Sequence, residues 1–107
     1  MKRDHHRDYI RARMKRNPRF RRAYERYNPQ ADLAVLVCKM REAAGLSQIQ
    51  LAERVGTSQP TIARLEDAEY TGHSLKILEK IAAACGFELQ LRARKGSKVS
   101  LEIPLVA

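Results

Sequence analysis

At 107 residues the chain is long enough for one small domain and a tail, and a core of that size is only marginally stable until subunits associate. Its formal net charge of +9 is unevenly spread: Met1–Tyr27 holds eleven Lys or Arg against three Asp or Glu, whereas Asn28–Ala107 holds ten against nine. The longest wholly apolar run, Leu33–Cys38, falls far short of the roughly twenty residues that cross a bilayer, no secretory leader is visible, and Cys38 and Cys85 lack metal-ligand spacing, which speaks for a cytoplasmic protein without membrane span, disulfide, metal or cofactor.

The basic arm, residues 1–27, has more pattern than a disordered tail needs. Asp8 is placed to cap a short helical piece carrying Ile10 and Met14 on one side. Asn17-Pro18 reads as an N-cap followed by a first-turn proline, after which Phe20, Ala23, Tyr24 and Tyr27 recur at i, i+3, i+4 and i+7. Pro18 predicts a bend between two helical pieces rather than one helix from Tyr9 to Tyr27. Helices this short are marginal in water, so the apolar stripe needs a partner, either another protein or the chain's own domain. His5 and His6 are adjacent without further ligands and carry no metal role.

Residues 28–86 read as a helical domain. Asn28-Pro29 repeats the cap-and-proline signal and opens a helix with Leu33, Leu36, Val37, Met40 and Ala44 inward, ending at Gly45. The next stretch, Leu46–Glu66, holds two short helical patterns separated by one glycine, the layout of a helix-turn-helix. Ser47 and Gln50 form a capping box, with Leu46 and Leu51 placed as its hydrophobic staple. Gly56 suits the left-handed position past the first helix, Thr57 or Ser58 caps the second, and Pro60 falls in its first turn. Ala52 occupies the close crossing, and Ile62 and Leu65 face back toward the first helix. The second helix leaves Ser58, Gln59, Thr61 and Arg64 polar, toward the N-terminal half that enters the major groove in this motif. Glutamine pairs bidentately with adenine and arginine with guanine, so these residues, with Thr57 beside them, are the candidate DNA contacts.

Asp67–His73 is a polar loop, and Ser74 caps a helix whose Leu75, Leu78, Ile81, Ala82 and Cys85 form a broad apolar face ending at Gly86. From Phe87 the period changes to two: Phe87, Leu89, Leu91 and Ala93 alternate with polar residues, Lys95-Gly96-Ser97-Lys98 intervenes, and Val99, Leu101 and Ile103 alternate again up to Pro104. This predicts a C-terminal β-strand or hairpin over residues 87–107, whose exposed edge invites pairing with a second subunit in a homodimer.

The stretch LSQIQLAERVGTSQPTIARLE resembles the lambda-repressor-like (Xre-type) family, in which a glutamine opens each of the two helices, as Gln48 and Gln59 do. Over about Pro29–Gly86 the resemblance implies a mainly α, lambda-repressor-like helix-turn-helix fold, phosphate and base contacts for Gln48 and Gln59, and phosphate hydrogen bonds from Tyr70, Thr71, His73 and Ser74. More narrowly, SQPTIARLE followed by SLKILEKIAAACG and a short strand is similar to HigA-type antitoxins. That resemblance implies repression of the chain's own operon through double-stranded operator DNA, and neutralisation of a RelE/HigB-like ribonuclease toxin.

For such a toxin the expected docking element is the arm, through Tyr9, Ile10, Met14, Phe20, Tyr24 and Tyr27, since anchors at helical spacing suit recognition in a groove. Charge argues the other way: the resembled toxins are basic, and a cationic arm is drawn to operator phosphates instead. A free-standing or phage-type repressor without a toxin is the alternative within DNA binding. A small basic ribonuclease is disfavoured because no nucleophile and base are placed together, so the chain is not expected to be an enzyme. A pure protein adaptor leaves the glutamine-opened helix unexplained.

Overall fold

The computed structural model describes the backbone of residues 5–25 and 29–105, with side chains placed for 8–22 and 31–97. Six helices precede one hairpin: α1 (His5–Arg16), α2 (Pro18–Glu25), α3 (Pro29–Ala43), α4 (Gln48–Val55), α5 (Gln59–Leu65), α6 (Leu75–Cys85), β1 (Leu89–Lys95) and β2 (Lys98–Leu105). No helix among the described residues is long and apolar enough to cross a membrane.

Local chemistry sets most helix ends. Ser47 Oγ accepts from the Gln50 N–H while Gln50 Oε1 accepts from the Ser47 N–H, closing the expected capping box. Ser58, rather than Thr57, caps α5, and Ser74 caps α6. Gly56 takes φ 82°, and the N–H groups of Gly56 and Thr57 both close on the Ala52 carbonyl, a reversal that side chains with a Cβ resist. In the arm, Asn17 Oδ1 accepts from the Phe20 N–H, so the bend at Asn17-Pro18 is capped as expected. Asp8 does not cap α1, because the helix already runs from His5 and places Asp8 within its first turn.

The main core lies beneath the helix-turn-helix. Val37 and Met40 of α3, Leu51 and Ala52 of α4, Ile62 and Leu65 of α5, and Leu78, Ile81 and Ala82 of α6 are buried together. Each fully enclosed large side chain, such as Leu51 or Ile62, contributes about 1.5–3 kcal/mol of burial. Leu75, expected inward, is 51 % exposed, because it is the first residue of α6 and lies beyond the edge of that core.

α3 is buried on a second side as well, where Ala31 and Val35 join Ala68, Ile10 and Phe20 in a smaller cluster beneath the arm. Of the apolar arm residues expected to insert into a partner, Ile10 and Phe20 pack on the chain's own domain, 5 % and 3 % exposed. Tyr9 and Met14 pack partly buried against the same cluster. Tyr24 and Tyr27 lie outside the residues whose side chains are described.

The hairpin is antiparallel, with Leu89, Leu91 and Ala93 opposite Leu105, Ile103 and Leu101, and its register shifts after Ala93. Gly96-Ser97 forms a two-residue turn with Gly96 at φ 63°. The first strand begins at Leu89 rather than Phe87, because the Phe87 N–H still closes α6 on the Ala82 carbonyl. Pro104 does not end β2 but stands opposite Gln90, in a two-stranded sheet where both strands are edges that tolerate proline.

Candidate nucleic-acid interface

Gln48 and Gln59 are the first residues of α4 and α5, and the turn at Gly56 brings the two helix starts side by side. Gln59 Nε2 donates to Gln48 Oε1 at 2.8 Å, and Gln48 Nε2 donates to Glu66 Oε1 at 3.2 Å. Glu66 in turn receives Arg41 Nε at 2.6 Å and Arg41 Nη2 at 3.0 Å. Arg41 also donates Nη1 to the Leu46 carbonyl at 2.8 Å, which ties the charged pair to the loop before α4. Glu66 is 5 % exposed, and its paired carboxylate pushes the Arg41 guanidinium above its ordinary range.

This row of bonds has one polarity. A carboxylate already bridged by arginine only accepts, so the Gln48 atom facing it is the NH2 and the Gln48 oxygen turns to Gln59. The atom of Gln59 that meets that oxygen is then its own NH2. Gln59 is exposed, and beyond this bond its side-chain amide still holds one N–H and its oxygen, a donor and acceptor pair of the kind that matches N7 and N6 of adenine in the major groove.

Around this pair, Ser58 and Arg64 are exposed on α5, whereas Thr57 and Thr61 are half-buried. The Thr61 hydroxyl lies 2.9 Å from the Ser58 hydroxyl, so the two form one polar edge at the helix start. In the following loop, Thr71 and Ser74 are exposed, while Tyr70 and His73 are partly turned inward. The Tyr70 ring packs on the main core and meets His73 edge-on at 5.3 Å. His73 Nε2–H donates to the Leu65 carbonyl at 2.6 Å, fastening the loop to the end of α5. A Cβ at Gly72 would overlap the Tyr70 ring, which would have to shift to admit it. Gln48 and Gln59, and Ser58 and Thr61, are thus brought into contact, while Tyr70 and His73 shape the loop that carries Thr71 and Ser74.

Sequence reasoning missed Arg41 and Glu66. Their signal was present: Val37, Met40 and Arg41, like Ile62, Leu65 and Glu66, stand at i, i+3 and i+4, so each charge falls on an inward stripe.

The family of helix-turn-helix domains matches residues 32–94, more than half of the chain. The chain belongs to that family. No curated protein and no solved structure matches it. As a helix-turn-helix protein it is a DNA-binding transcription regulator with a mainly helical, lambda-repressor-like fold. The matched span runs from α3 into β1, so it takes in the whole glutamine relay and leaves α1, α2 and β2 outside.

Proposed function

We propose that the chain is a cytoplasmic repressor that reads a specific operator through α5, with Gln59 as its principal base contact. The observation carrying this reading is the Gln59–Gln48–Glu66–Arg41 row, which holds a donor and an acceptor at the exposed start of α5. Ser58, Thr61 and Arg64 extend the same surface, and Gln48, Thr57, Tyr70, Thr71, His73 and Ser74 flank it toward the DNA backbone. The repressor acts as a two-fold dimer on a palindromic site, with recognition helices roughly 34 Å apart. Support for a dimer comes from exposed apolar surface at the C-terminal end: Phe87 is 45 % exposed and lines a cleft with Leu36, Met40, Ala43 and Leu89, and Leu91 of β1 is 48 % exposed. Two strands alone are barely stable.

The test starts from duplexes enriched from a random library by the full chain. Gln59→Ala should lose about 1–3 kcal/mol of preference for the enriched sequence over scrambled DNA. Equal loss on both would move Gln59 to the backbone, and an enriched site without two-fold symmetry would remove the dimer.

The finer reading is a HigA-type antitoxin that also neutralises a RelE/HigB-like toxin. It rests on the similarity of SQPTIARLE and SLKILEKIAAACG to that group. The second reading is a repressor without a toxin; Ile10 and Phe20, two of the anchors the arm would offer a toxin, are buried on the chain's own domain. A toxin gene beside the chain's own, whose product co-purifies with it, decides for the antitoxin.

A further inference from the structure

The arm is fastened at the end of the recognition helix. Arg13 lies 4.6 Å above the Phe20 ring and donates Nη2 to the Glu66 carbonyl at 3.4 Å. Arg19 donates to Asp67 at 3.0 Å and stands 3.8 Å from Glu69. Ala68 completes the cluster with Ile10 and Phe20. The arm therefore abuts residues 66–69, immediately between α5 and the loop that presents Thr71 and Ser74.

What the docked arm turns outward is charge. Arg11, Lys15, Arg16, Arg21 and Arg22 are exposed, and none has an acidic partner within ion-pair distance among the described residues. The remaining exposed residues over 8–22 are Ala12, Asn17, Pro18 and the paired Arg19. Among the described residues, 8–22, this surface offers no aromatic or aliphatic anchor of the kind on which protein interfaces depend. Phosphate contacts need cations and no anchor. Five like charges on two short helices also repel one another, and a polyanion relieves that repulsion.

We propose that the docked α1–α2 arm is a second DNA-contacting element, whose outer cations hold the phosphates of duplex flanking the site read by α5. This rests on the DNA-binding reading above. The arm carries no base readout; it lengthens the footprint and supplies salt-dependent affinity.

The test uses the full chain with all five outer cations replaced by glutamine (Arg11→Gln, Lys15→Gln, Arg16→Gln, Arg21→Gln, Arg22→Gln) and the enriched duplex carrying long or trimmed flanks. Each neutralised phosphate adds about 0.9 to the slope of log affinity against log salt, so the variant should bind with a slope shallower by about 2 to 4. Trimming the flanks should produce the same loss in the native chain and no further loss in the variant, while preference for the enriched sequence stays unchanged. The five Arg or Lys exchanged among themselves should restore the slope. An unaltered slope and affinity in a variant that retains native helicity would overturn the proposal and leave the face to an acidic protein. Loss of sequence preference without a change in slope would overturn it too, by showing distortion of α5. Failure of the native chain to enrich any sequence would instead sink the DNA reading beneath it.

Discussion

The core beneath α4 and α5 and the cluster beneath the arm are built differently. The first draws side chains from four helices, encloses Leu51, Ile62 and Ile81 completely, and has helix ends closed by local caps. The second receives two deeply buried side chains from the arm, Ile10 and Phe20, against Ala31, Val35 and Ala68, with Tyr9 and Met14 only partly buried against them, and its polar fastenings lie largely at the surface. Two anchors of about 1.5–3 kcal/mol each stand against the entropy of ordering two helices. The helix-turn-helix is thus the stable frame, and the arm is a unit that opens first. α3 serves both, one face to each.

The sharpest way to test that division is at the charged pair between the two regions. Arg41→Met should lower stability by about 3–5 kcal/mol in denaturant titrations followed by helicity, because Glu66 then remains buried without its partner. A loss below about 1 kcal/mol would mean that the carboxylate relaxes into solvent and no longer anchors Gln48.

Phe20→Ala should act mainly on the arm. Amide protection over residues 8–22 should fall while that of α4 and α5 persists. A second readout lies in Cys38, whose thiol is pushed up to about 11, chiefly by burial. Undocking the arm should return it toward the ordinary range and raise its alkylation rate on the order of a hundredfold at neutral pH. Equal loss of protection in both regions would make them a single cooperative unit.

Tyr9→Phe should have the smallest effect, roughly 0.5–1 kcal/mol of arm docking. Tyr9 Oη donates to Glu42 Oε1 at 2.5 Å, beside Cys38 Sγ, whose thiol donates to the same oxygen at 3.2 Å. That phenol is the first cause holding Glu42 below the ordinary 4.5, so its contribution is present above that pH and fades as pH falls through the lowered value. Burial raises the phenol itself above the ordinary 10.0, so the contact also weakens under more alkaline conditions than that. Arm protection measured against pH should show both limbs, and the variant should flatten them.

Helix ends were legible because caps are made by residues three apart: Ser47 with Gln50, Ser58 with Thr61, Ser74 with Ile77 and Asn17 with Phe20. The alternation from Leu89 onward was equally local. Arg41 and Glu66 were not recovered, because their contact joins positions 25 apart and charged residues on short helices ordinarily face water. Ala31 and Val35 escaped for a related reason: small and β-branched residues off the main stripe gain meaning only when the arm covers them. Phe20, from the stripe read on the second arm helix, and Ile10, from the first, both needed a cover, and only the structure says that Ala31 and Val35 of α3, with Ala68, supply it for these two.

The glutamine row also limits what position 59 can become. Gln48 offers it an oxygen, so any tenant must bring a hydrogen to that oxygen before it addresses a base. Arginine, lysine or a hydroxyl satisfies the condition, whereas aspartate or glutamate sets two acceptors against each other. The carboxylate vocabulary, by which proteins name cytosine in the major groove, is closed to this position as long as Glu66 keeps its seat. Under the proposed readout by Gln59, an operator drifting toward cytosine there would have to be followed by a change in the interior before one at the surface.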